Sequence, residues 1–255
     1  MTLRAYRITG ALAQDALELL HAVSDVRGAI EEDDAVTVWL DDTLPDLPFD
    51  GLAIFELPAA VANASSTGLE NDQPILVAED LLVRPPWVER PATFTGIELI
   101  VPRGMAFGSG EHDSTQAALL ALHAAWNDPE SFADVGTGSG ILALYAMLRG
   151  CRRIEACDVE EPAVIAAREL LQGADVTLGG PETMPWRADF VVANLTAKEQ
   201  HAALPAILDR WTQRGPLVLS GMREHEVDGV AARLPRVDAR CVRGAFTALT
   251  VLPSA

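Results

Sequence analysis

The stretch Asp134-Val-Gly-Thr-Gly-Ser-Gly140 follows a short apolar run, residues 132–135, and opens an amphipathic one, residues 141–149. An apolar strand that breaks into a glycine turn and restarts as a helix is the pattern of a βα unit in an open parallel sheet. Glycine lets the backbone come close to a ligand, and such sheets hold their ligands at the carboxyl ends of the strands. A structural turn would also use glycines, but the strand before and the helix after favour a nucleotide-like ligand.

Outward from this turn, residues 154–158, 175–178, 190–194 and 217–220 read as further short apolar strands, and 162–171 as an amphipathic helix. The alternation predicts a parallel sheet with helices on both faces over residues 75–255. Residues 236–243 and 245–252, joined at Arg243-Gly244, predict an antiparallel pair at its end. Residues 1–57 have a different rhythm. Residues 3–9 alternate like a strand, Leu12, Ala16, Leu19 and Leu20 have helical spacing, and 35–40 is a strand after the acidic run Glu31-Glu-Asp-Asp34. This predicts a small α+β module whose acidic run is a solvated hairpin turn rather than a metal site. Residues 58–74 are the expected linker, with a weak helix at 59–63.

Asp158 ends the strand that follows the glycines, where a carboxylate accepts the hydroxyls of a ribose. It can also cap the helix that starts at Glu161-Pro162. The spacing Gly136-x-Gly138-x-Gly140, with Asp134 before it, differs from the Gly-x-Gly-x-x-Gly that presents amides to a pyrophosphate. A ligand without phosphate and with a cationic amino-acid end fits better, which predicts S-adenosylmethionine. Asp134 would then face that cationic end, or else orient the loop through backbone amides.

With 37 Asp and Glu against 19 Lys and Arg, the formal charge is −18. Direct nucleic-acid or membrane binding is not expected, and a macromolecular partner would be basic, although a generally acidic proteome gives the same composition. Cys151, Cys157 and Cys241 have neither disulfide nor zinc spacing, so no metal is expected. The chain lacks a signal-peptide pattern and an apolar run near the roughly 18 residues that span a bilayer, so a cytoplasmic monomer is expected.

Three motifs carry a family resemblance: Gly104-Met-Ala-Phe-Gly-Ser-Gly-Glu-His-Asp-Ser-Thr115, Asp134-Val-Gly-Thr-Gly-Ser-Gly-Ile-Leu-Ala143 and Val192-Ala-Asn-Leu195. They closely resemble the PrmA family, the methyltransferases of large-subunit ribosomal protein eleven. The second alone would indicate only a class I methyltransferase. The resemblance covers essentially the whole chain and implies an α/β Rossmann-like catalytic domain with a seven-stranded, mostly parallel sheet, residues 75–255. It also implies a small ferredoxin-like substrate-recognition domain, residues 1–57, ahead of the linker. Thr115, Gly136, Asp158 and Asn194 are implied to contact S-adenosylmethionine, with Phe107, Gly108, Thr137 and Gly138 lining the same pocket and Gly140 completing the turn. The chain departs from the family pattern at Ser109, where Thr is usual, and at Glu161-Pro162, where Asp-Pro is usual. Residues 71–80 also lack the Trp and basic residues of the family's linker.

Methyl transfer from a sulfonium to an amine is an in-line displacement, which needs alignment and an unprotonated nucleophile rather than a covalent catalyst. A free lysine has a pKa of about 10.4, so the pocket must favour its neutral form by desolvation and by the nearby sulfonium charge. Asn194, at a strand end, is the expected catalytic residue that orients the acceptor, a helix cap near Ala197 being the structural alternative. His112 is expected to shape its loop rather than act as a base, and Trp186 to cover surface rather than line the adenine pocket. The expected enzyme methylates lysine ε-amines and the N-terminal α-amine of ribosomal protein eleven. The alternatives are an N-methyltransferase with another protein or small-molecule acceptor, a non-catalytic S-adenosylmethionine-binding module, and a nicotinamide oxidoreductase, which the glycine spacing disfavours.

Overall fold

A computed structural model describes residues 4–24, 26–32, 35–40, 43–57, 73–102 and 107–253. Most of the expected linker with its weak helix, Asp33 and Asp34 of the acidic turn, and the Gly104-Met-Ala start of the first motif lie outside the described residues. The chain divides into two compact units, Met1–Gln73 with Pro86–Val88 and Pro102–Met105, and Pro74–Pro85 with Glu89–Val101 and Ala106–Ala255.

In the first unit, β1 (Arg4–Thr9), α1 (Ala13–Val23), β2 (Val26–Glu32), β3 (Ala35–Leu40) and β4 (Ala53–Glu56) follow in order. The sheet is antiparallel throughout, in the order β2-β3-β1-β4 of a ferredoxin-like fold. Ala13, Ala16, Leu17 and Leu20 of α1 pack on Ile8, Val36, Val38 and Leu40. A ferredoxin-like fold places a second helix between β3 and β4, but residues 43–52 form none. Pro45 and Pro48 each remove an amide donor and clash with a preceding carbonyl, so the segment stays irregular. It still contributes Leu44, Leu47, Phe49 and Leu52 to the same core. Strands β2 and β4 were not foreseen, since Gly28 and the shift of register beside it interrupt the alternation of β2.

The second unit opens with β5 (Ile75–Ala78), β6 (Leu81–Arg84) and β7 (Ile97–Ile100), which make a three-stranded sheet of their own. Then follow α2 (Asp113–Ala125), β8 (Ser131–Val135), α3 (Ile141–Leu148), β9 (Arg153–Asp158), α4 (Glu161–Leu170), β10 (Asp175–Leu178), β11 (Phe190–Asn194), α5 (Ala197–Arg210), β12 (Leu217–Arg223), α6 (Glu224–Ala231), β13 (Ala239–Arg243) and β14 (Phe246–Val251). The main sheet runs β10-β9-β8-β11-β12-β14-β13, parallel as far as β12, with β14 antiparallel to both its neighbours. This is the Rossmann-like, mostly parallel seven-stranded sheet expected from the sequence.

Side chains alternate between two cores, as strands covered on both faces require. Phe132, Phe190 and Val192 point to one face with Leu119, Leu122, Ile141 and Tyr145. Ala133, Val191 and Ala193 point to the other with Leu204, Ile207, Val227 and Val230. The order of the strands reverses at β8, with β9 on one side and β11 on the other, and such a switch point leaves a crevice at the carboxyl ends.

Candidate active site

The turn after β8 spends its amides on the protein. Gly136 and Thr137 N–H both donate to the Cys157 carbonyl, at 2.9 and 3.0 Å, and Gly140 N–H donates to the Thr137 carbonyl at 2.9 Å. Gly138 N–H donates to Asp158 Oδ2 at 2.9 Å. Ser139 N–H donates to the Phe107 carbonyl at 2.8 Å, and the Ser139 hydroxyl to the Gly108 carbonyl at 2.7 Å. Five successive amides are thus engaged, so the turn offers no nest for a pyrophosphate. These bonds also stitch the first motif to the second.

Glycine is required here by the protein's own packing. Gly136 and Gly138 have φ of +69° and +55°, and an added Cβ would run into the Leu195 side chain at the first and the Phe107 carbonyl at the second. Gly138→Ala is therefore expected to cost at least about 2 kcal/mol, since the left-handed conformation alone costs 1–2 kcal/mol. Urea denaturation would check this, and an unchanged midpoint would mean that residues 107–110 can move aside without loss.

Asp134 lies beneath the turn with no exposure. Its Oδ2 accepts from the Thr137 hydroxyl at 2.7 Å and from Ala143 N–H at 3.3 Å. Of the two roles the sequence leaves open for Asp134, facing the ligand's cationic end or orienting the loop, the structure shows the second, with the carboxylate turned inward to organise the loop and the start of α3. Burial pushes its pKa up to about 7, against the lowering by those two hydrogen bonds. Burial likewise pushes Glu155, in the middle of β9, up to about 7. An acid whose folded pKa is raised keeps its proton when the unfolded chain has lost it, so stability is greatest at low pH and is lost as pH rises toward 7. Asp134→Asn and Glu155→Gln should each flatten the fall in stability between about pH 4 and 7 by more than about 1 kcal/mol. Equilibrium denaturation across that range would show it, and parallel curves for wild type and variants would contradict it.

Asp158 closes β9 with both carboxylate oxygens in use, Oδ2 to Gly138 N–H and Oδ1 to Glu160 N–H at 3.0 Å. Both carry further lone pairs, and the side chain lines a cavity of about 760 Å³. Asn194 closes β11 and lines the same cavity. Its Nδ2 donates to Thr115 Oγ1 at 3.4 Å, while its Oδ1 is buried without a partner. Thr115 itself is 1% exposed, in the first turn of α2. His112 caps that helix, its Nδ1 accepting from Ser114 N–H at 3.3 Å.

Of the residues singled out from the sequence, Phe107, Gly136, Gly138, Asp158 and Asn194 line the cavity. Gly108, Thr115, Asp134, Thr137 and Gly140 stand behind it as support. Trp186 is outside it, beneath the Arg153 guanidinium at 4.1 Å. His123 joins Tyr145 and Asp80 in a separate polar link, at 2.9 and 3.0 Å.

Three contributions were missed. Gly179, Gly180, Pro181 and Glu182, after β10, line the cavity, and a Gly-Gly-Pro turn at the carboxyl end of a predicted strand was a usable signal. Phe246 reaches the cavity because β14 runs backwards, which no local pattern announces. Gln200, fully buried on α5, donates from Nε2 to the Ala193 and Ser220 carbonyls at 3.1 and 3.0 Å and so clamps the ends of β11 and β12.

Among the described residues, the cavity wall carries Asp158, Glu160, Glu182, Glu199 and Glu226 against the single guanidinium of Arg223, so it attracts cations. Among the described residues no group of three His, Cys, Asp or Glu could hold a metal, and no helix is long and apolar enough to cross a membrane.

The profile of the family described as Ribosomal protein L11 methyltransferase (PrmA) matches residues 65–239. The chain belongs to the PrmA family. A PrmA relative from Geotalea uraniireducens, named ribosomal protein L11 methyltransferase, is 34% identical over 168 residues, 59% of this chain and 53% of the relative. One of the same name from Sorangium cellulosum is 38% identical over 179 residues, 66% of this chain and 56% of the relative. The match thus spans little more than half the length of these PrmA proteins. A crystal structure of a ribosomal protein L11 methylase from Lactobacillus delbrueckii subsp. bulgaricus superposes with a TM-score of 0.65 at 24% identity, covering 71% of this chain and 99% of that one. At that identity the likeness speaks for the fold.

Proposed function

We propose that this chain is an S-adenosylmethionine-dependent methyltransferase whose acceptors are amino groups of ribosomal protein L11, lysine ε-amines and the N-terminal α-amine. The observation that carries the reading is that one acidic cavity is lined both by a ribose-type carboxylate, Asp158, and by Asn194, whose buried Oδ1 has no partner, at the ends of β9 and β11 on either side of β8. Membership of the PrmA family supports it, as does a turn with no amide left for a phosphate.

When bound, S-adenosylmethionine supplies an electrophilic methyl group on a sulfonium. In this reading Asp158 accepts the ribose hydroxyls with its spare lone pairs, and residues 179–182 flank the base. Asn194 Oδ1 accepts an N–H of the amine and aligns its lone pair, an effect that grows as positive charge develops on nitrogen. Thr115 holds the Asn194 amide in place, and Gln200 fixes the backbone on either side. His112 Nδ1 meets the Ser114 N–H at 3.3 Å and the Ser114 hydroxyl at 2.7 Å, which ties the ring to the start of α2. The amine loses its proton to water. The carboxylates of the wall favour a basic acceptor over an acidic one.

The test is intact-mass spectrometry of recombinant ribosomal protein L11 after incubation with this protein and S-adenosylmethionine. Added methyl masses that vanish with Asp158→Ala are expected. No added mass, with donor binding still measurable by calorimetry, would move the acceptor to another molecule.

A further inference from the structure

We propose that Gln200 and Ser220 are a pair of positioning residues for methyl transfer, which fix the Asn194 amide from its backbone side and from its side-chain side. The proposal rests on the methyltransferase reading and adds to it two residues that act through Asn194.

Asn194 stands where the sheet stops holding it. It is the last residue of β11, and its pairing with Ser220 is the last step of the β11–β12 ladder. At the same level β12 shifts its register against β14, between Leu219 and Met222. A bond from Leu195 N–H to the Ser220 carbonyl, at 3.0 Å, closes the pair. Strand ends open readily unless another group ties them. Here α5 begins just after Asn194, so Gln200, one turn in, faces back onto both strands. Its Nε2 carries two protons and donates to the Ala193 carbonyl at 3.1 Å and to the Ser220 carbonyl at 3.0 Å.

The side chain of Asn194 is tied by a second route. Its Nδ2 donates to Thr115 Oγ1 at 3.4 Å, and the carbonyl of the preceding residue, Ser114, accepts from the Ser220 hydroxyl at 2.9 Å. The bonds make a closed circuit from Asn194 through Thr115, Ser114, Ser220 and Gln200 back to Ala193. Gln200 and Ser220 are fully buried, and Ser114 and Thr115 nearly so, which keeps water from competing for these bonds.

For the fold alone, Gln200 is a costly choice. Its Oε1 is buried and, among the described residues, has no partner. An unpaired buried acceptor lowers stability, whereas methionine would fill the same space without that loss. In-line displacement, in contrast, loses rate steeply when an aligning group moves by an ångström. The buried amide thus serves alignment rather than stability.

Gln200→Met and Ser220→Ala open the circuit at different bonds. Each is expected to lower kcat on ribosomal protein L11 about tenfold, with S-adenosylhomocysteine affinity by calorimetry within about twofold of wild type, because Asp158 and the glycine turn follow β9 and β8. Gln200→Met should leave the melting temperature unchanged or higher. Gln200→Glu can donate only while protonated, so its kcat relative to wild type should fall as pH rises. Hydrogen exchange needs no turnover, and the Leu195 amide should exchange at least about tenfold faster in Gln200→Met. Unchanged kcat in both variants, or a loss of kcat matched by an equal loss of S-adenosylhomocysteine affinity or accompanied by a lower melting temperature in Gln200→Met, would overturn the positioning role. If the wild type methylated no amine, the proposed function alone would fall. The Leu195 amide would then decide the positioning role, faster exchange upholding it and unchanged exchange overturning it.

Discussion

Asp158→Ala should weaken S-adenosylhomocysteine binding by about 100-fold or more, measured by calorimetry, and take methyl transfer below detection. Two losses combine. The carboxylate no longer meets the ribose, and hydrogen bonds to a charged group are worth about 1.5–3 kcal/mol each. The turn also loses its tie to β9, since Oδ2 holds Gly138 N–H and Oδ1 holds Glu160 N–H. With Gly138 released, the fit of Ser139 against Phe107 and Gly108 loosens, and the Phe107 edge of the cavity moves with it. Wild-type affinity in this variant would show that the ligand sits elsewhere in the cavity.

Asn194→Ala should lower kcat by about 100-fold, the scale on which one oriented polar group at a reacting centre acts, with a much smaller change in S-adenosylhomocysteine affinity. It should leave thermal stability unchanged or raise it. Asn194 Oδ1 is buried without a partner, and an unsatisfied buried acceptor costs the folded state, so its removal relieves that cost. A residue kept for structure would show the opposite pair of effects, a lower melting temperature with activity per folded molecule intact.

The sequence was most informative where chemistry is local. Gly136, Gly138 and Gly140 sit on a strand-to-helix turn, so the βα unit and the general position of the site were readable from spacing. Asp158 and Asn194 were readable as strand ends, and both line the cavity at the carboxyl end of the sheet. Asp134 was left with two possible roles for an equally physical reason. A carboxylate before a glycine turn can face the ligand or the loop, and only the approach of Thr137 and Ala143 turns it inward. In the N-terminal unit, β2 and β4 escaped notice because a central glycine and a four-residue length leave too little alternation to detect.

What the sequence by itself determined is therefore the class of fold, the strands and helices of the main sheet, and the residues at the carboxyl ends of β8, β9 and β11. These depend on periodicity and on backbone freedom, which are written along the chain. The tertiary structure alone decided which strands are neighbours, and with them the composition of the cavity wall. Phe246 lines the same cavity as Asn194 because β14 inserts antiparallel beside β12, and Phe107 touches the glycine turn because its carbonyl accepts from Ser139. Relations between residues some fifty or some thirty positions apart follow from hydrogen-bond registry and packing across strands, and no local pattern encodes them.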